Sequence, residues 1–509
     1  MTGPSTETAT RAEGGGRLRS GTLSLWEAIG LSIALMAPSM AANINPQGMV
    51  GSVGRAVPLT FAIATLGVLL VAYTFVRLTQ RFHHSGSVYG FVGATLGPRA
   101  GVVAGWGLLG TYTFYAVVTA TASSRFLVAF LDGTGIWSSP PDGIVLLLVA
   151  LVLLGVLGLT VSPVRLGTRV LLAVEAGTVA LILLVAVAVL VKLASGHGPG
   201  GSGLSGSPFV LPPGADASAV FLGVVFGFLS FAGFEAAATL GEETRHPRRN
   251  IPRAILGTAV FGGVYFVFVT WVEVLGFGTD AKGLAAFGSS GSLFGDLGAR
   301  YVGPWVGDLI SLGAAISAFG CALACSVGAS RLLYAMARDG LAPPALARVS
   351  AARHTPVVAA AVIAIGAAVI ELLMWIVYRP SGPAAEQTPT SLSVFVAAGV
   401  IGTLILLVVY VLASLGAIGL LFLGPARTVP AWEIVIPVAG LVVLGYTLYR
   451  NVIPLPEGRS LVAPAVAAAW LAAGVVFVLA APGVAERAGQ RLTSAAGLTS
   501  TRADAEEIA

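Results

Sequence analysis

The chain has 509 residues, of which 56% are hydrophobic and 10% charged, at a mean hydropathy of +0.90. Such a composition lies outside the range of soluble domains and supplies repeated apolar runs long enough to cross a bilayer, so the chain reads as an all-α polytopic membrane protein. A net charge of +5 does not imply nucleic acid, because cationic residues in such a chain are first accounted for by its cytoplasmic loops.

The first 22 residues are polar and carry Arg11, Arg17 and Arg19. They read as a disordered cytoplasmic tail rather than a signal peptide, since no small-residue cleavage pattern follows the first apolar run. At about 20 apolar residues per crossing, twelve transmembrane helices are expected, at 24–46, 56–80, 100–131, 142–162, 167–193, 218–241, 251–277, 302–337, 356–378, 391–423, 431–449 and 461–481. Twelve spans place both termini on one side. With that side inside, 20 of the 28 Lys and Arg fall on tails, inner loops or adjoining helix ends, leaving Arg55, Arg125, Lys192, Lys282, Arg300, Arg379, Arg450 and Arg459 outside. The expected setting is therefore the plasma (inner) membrane, multi-pass, with cytoplasmic N- and C-termini. Long outer loops are expected at 195–217 and 279–301, and the segment 81–90 reads as an inner loop with a re-entrant turn.

Two spans are interrupted near their centres. In the first, Met36-Ala37-Pro38-Ser39 contains a proline that removes an N–H and clashes with the preceding turn, which kinks or unwinds the helix. In the sixth, Ser230-Phe231-Ala232-Gly233 is followed by a carboxylate, Glu235. A helix with small residues and an acid at mid-depth can open its backbone toward a water-filled cavity. The two breaks correspond if the chain consists of two five-helix inverted repeats and two extra helices, and paired breaks of this kind point to a transporter site at the midplane. The divisions are then a tail at 1–22, a first repeat at 23–193, an outer loop at 194–217, a second repeat at 218–424, two extra helices at 425–482 and a cytoplasmic tail at 483–509.

Two motifs carry a family resemblance. Gly233-Phe-Glu, Gly241-Glu-Glu-Thr, Pro247, Ile251-Pro252 and Ala254 resemble the loop after the sixth helix of the amino acid-polyamine-organocation (APC) permeases. Ser330-Arg-Leu-Leu-Tyr-Ala-Met-Ala-Arg-Asp-Gly-Leu-Ala-Pro343, followed by Thr355-Pro-Val-Val, is similar to that family's signature after the eighth helix. The resemblance covers about residues 22–482 and implies a LeuT-like 5+5 core with discontinuous first and sixth helices. It also implies a secondary transporter of amino acids or related amines, working by alternating access as a proton-coupled symporter or exchanger.

Both motifs also have a topological reading: Pro247 ends the sixth helix, Pro252 sits in the opening turn of the seventh, and Asp339-Gly340 marks a turn. Among ionisable residues in the spans, Glu273, Asp308, Arg125 and Glu371 fall toward outer helix ends, where snorkelling suffices, and Glu27 falls near an inner end. Glu175 and Glu235 remain deep, and charges at such depth are usually functional. Some relatives carry a lysine at a similar place in the fifth helix; Glu175 departs from it, so a proton-titrating role carries over but a sodium-replacing one does not. Glu235 matches an acid that the resemblance associates with gating or substrate sensing.

In the expected substrate site the breaks at Met36–Ser39 and Ser230–Gly233 offer half-helix N–H groups to a substrate carboxylate and free carbonyls to its ammonium, with Tyr112, Tyr115 and Ser317 completing the cavity. Ordinary core packing is the competing reading for each of these side chains. A channel or sensor on the same scaffold is one alternative. An intramembrane enzyme is another, disfavoured because His83, His84, His197, His246 and His354 all fall in loops and no metal or nucleophile constellation lies in a span. No P-loop, cofactor or metal motif is present in the sequence, and the only expected partners are a small-molecule substrate, a co-transported proton and the lipid bilayer.

Overall fold

The computed structural model describes residues 24–82, 88–162, 166–240, 244–350, 355–379, 388–424 and 429–495, except the side chains of 166–169, 239–240 and 492–495. The N-terminal tail, His83 and His84, Glu242 and Glu243, and His354 lie outside the described residues. The elements are α1 (Leu25–Met36), α2 (Pro38–Ile44), α3 (Gln47–Val53), α4 (Val57–Arg81), α5 (Val88–Leu96), α6 (Pro98–Gly133), α7 (Ile144–Thr160), α8 (Leu166–Ala194) and α9 (Val220–Ser230). They continue as α10 (Pro247–Phe277), α11 (Ala281–Ser289), α12 (Leu293–Tyr301), α13 (Pro304–Arg338), α14 (Val357–Tyr378), α15 (Thr390–Phe422), α16 (Val435–Val452), α17 (Val462–Ala480) and α18 (Pro482–Ala495). Among the described residues there is no strand.

Ten helical segments among the described residues are long and apolar enough to cross a membrane, while Ile144–Thr160 and Ala217–Ser230 are apolar but shorter. Their starts follow from local chemistry. Ser24 and Glu27 cap α1 reciprocally, and α6, α10 and α13 open on Pro98, Pro247 and Pro304, where a missing N–H is harmless. Pro247 thus starts α10 instead of ending the preceding span, and Pro252 lies inside that helix.

The core centres on α6, which packs against α13 and α15, while α4 packs against α10. The later helices attach to this centre through a few specific contacts. Trp106 and Trp470 stack with ring centroids 4.7 Å apart, and each indole N–H donates to the other residue's carbonyl, at 2.8 and 3.0 Å, fixing α17 to α6. Glu433, just before α16, pairs with Arg77 and Tyr73 of α4.

Three features differ from the sequence reading. The outer loop 279–301 contains α11 and α12, and residues 483–495, read as tail, belong to α18, which packs on α5 and α6 with an Arg99–Glu486 ion pair at 3.0 Å. Arg125, Glu273 and Glu371 do not snorkel: they are 7%, 0% and 1% exposed. Arg125 donates to Ser391 at 2.6 Å, and Glu371 accepts from Thr121 at 2.8 Å. Depth along a helix does not say which face a residue occupies, and these three face the bundle.

Candidate functional site

The first break is sharp. α1 ends at Met36, Ala37 is fully buried in the left-handed region (φ 46°, ψ 58°), and α2 starts at Pro38. An L-residue held there is strained, and it persists only because its surroundings enforce it. Ala37 N–H closes back onto Ala34 O at 3.1 Å, and Pro38 has no N–H. Ser39 is therefore the first residue of α2 whose N–H can point forward. Both its N–H and its hydroxyl donate to Glu175 Oε1, each at 2.9 Å.

Glu175 reaches this point because α8 runs close against α13: a Cβ on Gly313 would sit 2.1 Å from Thr178 Oγ1. The same approach brings Ser317 of α13 beside the Glu175 carboxyl, short of hydrogen-bond geometry, and its hydroxyl is buried without a partner among the described residues. Tyr265 of α10 completes the surroundings, its hydroxyl donating weakly to Pro38 O at 3.5 Å.

The second break follows α9. The chain turns through Phe231–Glu235, with Gly233 at φ 101°, before a short helical turn at Ala236–Leu240. Gly233 backs directly onto the end of α1: an added Cβ would lie 3.2 Å from Leu35 Cβ and 3.3 Å from Leu35 C. The breaks are also tied by a side-chain bond, Asn45 Nδ2 donating to Ser230 Oγ at 2.7 Å, while the Ser230 hydroxyl donates to Phe226 O at 2.8 Å. Phe231 and Ala232 continue the turn with N–H bonds to Gly227 O and Leu229 O.

Glu235 lies in a separate aromatic and polar cluster. The Tyr410 hydroxyl sits next to its carboxyl, and both that hydroxyl and Glu235 Oε2 are buried without a hydrogen-bond partner among the described residues. Phe75, Phe234 and Tyr410 meet edge to face with centroids 5.5–6.0 Å apart. Tyr112 and Tyr115 of α6 border this cluster; Tyr115 shares a 3.0 Å hydrogen bond with Thr403, and Tyr112 packs over Gly328. The sequence-selected residues thus divide in two: Met36–Ser39, Glu175 and Ser317 gather at the first break, and Tyr112, Tyr115 and Glu235 lie behind the second.

A cavity of about 510 Å³ ends at the first group. Its lining runs from Ser162, Thr355, Pro356 and the exposed Arg331, at the loop ends of α7, α13 and α14, up to Ser317 and Glu175. Apolar side chains of α1, α8 and α13 form most of the wall. On the far side of the break, two amides are hydrogen-bonded to the α11–α12 segment. Asn43 Oδ1 accepts from Ser292 Oγ and Phe294 N–H of the α12 entry, each at 2.9 Å, and Gln47 Nε2 donates to Phe287 O and Ser290 O at 3.0 and 2.7 Å. Asn43 and Gln47 are buried amides near the first break that the sequence reading did not single out; amides at the far end of a broken helix were the available signal. Among the described residues no group of three or more His, Cys, Asp or Glu could hold a metal ion.

The family model described as amino acid permease matches residues 27–493. Among curated proteins, the chain is 26% identical to the branched-chain amino acid permease BcaP of Bacillus subtilis (strain 168), over 60% of this chain and 65% of that protein. It is 26% identical to the low-affinity putrescine importer PlaP of Escherichia coli (strain K12), over 63% and 68%. It is 33% identical to an uncharacterized transporter of Mycobacterium tuberculosis (strain ATCC 25618 / H37Rv), over 58% and 61%. The chain therefore spans about two thirds of the length of the relatives it matches.

Proposed function

The chain belongs to the amino acid permease family, a family of permeases and not of enzymes, and from that premise we propose that it is a secondary transporter moving amino acids or related amines by alternating access. The observation that carries this reading is the cavity that Arg331 and Thr355 line at one end and Glu175 at the other, beside the first break, with Asn43 and Gln47 hydrogen-bonded to the α11–α12 segment beyond it. A conduction path open to both sides would suit a channel; a site reachable from one side at a time suits a carrier.

In this reading the twelve expected spans are α1–α2, α4, α6, α7, α8, α9 with its following turn, α10, α13, α14, α15, α16 and α17. Residues 23–193 and 218–424 form the inverted repeats, with α16 and α17 outside them. The termini lie on the cytoplasmic side of the plasma membrane, which makes the present conformation inward-facing. Substrate occupies the space between the breaks and Ser317. Glu175 and Glu235 serve coupling and gating, with protons as the coupled ion in symport or exchange.

Uptake of radiolabelled amino acids and amines into proteoliposomes, with and without an imposed proton gradient, tests the proposal. Saturable, gradient-stimulated uptake is expected. Flux that does not saturate and fails to show counterflow would replace the carrier with a channel.

A further inference from the structure

The proposed reading leaves open how a substrate is held, and the first break answers differently from what its sequence implied. The first N–H of α2, that of Ser39, is already taken by the chain's own carboxylate, Glu175 Oε1, together with the Ser39 hydroxyl. A substrate carboxylate brought to this point would have to displace Glu175 and lie beside it. With Glu175 ionised, two like charges in a low-dielectric pocket repel strongly, so the geometry disfavours a ligand with an anion at this end.

What the cavity does present is the other half of the same group. Glu175 lines its blind end, Oε2 makes no hydrogen bond among the described residues, and the residue is 6% exposed. Ser317, 7% exposed, lines the cavity beside it with an unpartnered hydroxyl. The carboxylate oxygen, with the Ser317 hydroxyl beside it, is an acceptor suited to an ammonium, which has three donors and no acceptor. Behind them the wall is apolar, formed by Leu31, Leu35, Leu171, Leu172, Leu323 and Val327.

Among the described residues, the other charged group in the lining is Arg331. It lies fourteen residues beyond Ser317 on α13, about 21 Å at the rise of an α-helix, too far to reach the carboxylate of an amino acid whose ammonium rests on Glu175. We propose that Glu175 Oε2 and Ser317 Oγ form a cation subsite, and that the transported molecule is a primary amine with an apolar alkyl or aryl body and no carboxylate. This rests on the carrier reading above and narrows its substrate class.

Matched pairs test it on the full-length protein: 3-methylbutylamine against leucine, and 2-phenylethylamine against phenylalanine, with putrescine as a dication. Binding is measured by calorimetry on the detergent-solubilised protein, and uptake is measured in proteoliposomes. Each amine is expected to bind at least tenfold more tightly than its amino acid. Glu175→Gln, which keeps an acceptor for Ser39 but removes the charge, should weaken amine binding at least tenfold, and Ser317→Ala should weaken it several-fold. If leucine or phenylalanine binds as well as its amine, or Glu175→Gln binds the amines unchanged, the subsite is wrong, while saturable uptake of either amino acid would keep the carrier reading. Absence of saturable uptake for all five compounds overturns both.

Discussion

The two breaks solve one problem in opposite ways. At the first, the backbone opened by Pro38 is completed by a side chain 136 residues away, since Glu175 takes both donors of Ser39. At the second, the chain completes itself, with short N–H bonds from Phe231, Ala232, Phe234 and Ala236 to nearby carbonyls, and leaves its acid, Glu235, with an unpartnered oxygen among aromatic rings. The first break depends on tertiary structure, and the second is largely local. Charge is therefore committed at the first and held in reserve at the second.

Substitutions can test that contrast, beginning with the largest effect. Gly233→Ala forces an L-residue to φ 101° and drives its Cβ onto Leu35. Strain at such a position costs about 1–3 kcal/mol before any clash is counted. The thermal midpoint of the detergent-solubilised protein should fall more for this change than for any other single change at either break.

Next comes Glu175→Ala, which strands the Ser39 N–H and hydroxyl. Leaving buried donors unpaired costs about 1–3 kcal/mol, whereas Glu175→Gln should stay within about 1 kcal/mol of the parent because an amide oxygen still accepts. Denaturation of the two variants side by side reads the difference; equal losses would mean that charge, and not the hydrogen bonds, holds the first break. Removing the link between the breaks is a smaller perturbation. Asn45→Ala and Ser230→Ala combined in a double-mutant cycle should show a coupling of about 1 kcal/mol.

Glu235→Gln should change stability least, because one oxygen has no partner to lose. Its effect belongs instead in the rate of exchange between the two sides, measured by counterflow.

Both interruptions were legible in the sequence because their causes are local: proline lacks an N–H, and glycine tolerates positive φ. Glu175 was legible as a carboxylate deep in an apolar run. Its partner was not, because a contact across 136 residues leaves no mark in either segment. Arg125, Glu273 and Glu371 were placed at the right depth and on the wrong surface, since helices apolar on every side give no periodicity from which to tell lipid from core. α11 and α12 escaped because each has only nine residues, and Gly and Ser weaken the helical pattern. α18 escaped for the opposite reason, being too polar to stand out from a tail.

The short helix α2 is fastened at both ends. Glu175 grips its first turn at Ser39, and Asn43, whose own amide donates to Ser39 O at 2.8 Å, holds the α12 cap at the other. These attachments are separated by four residues, about 6 Å of rise, so the helical segment between them is too short and stiff to absorb a displacement. In the carrier proposed above it would act as a pawl: freeing Ser39 from the carboxylate would tug on the latch at Asn43, and lifting the α12 cap would be felt at Glu175, so that both sides of the proposed pathway would hang on one pin.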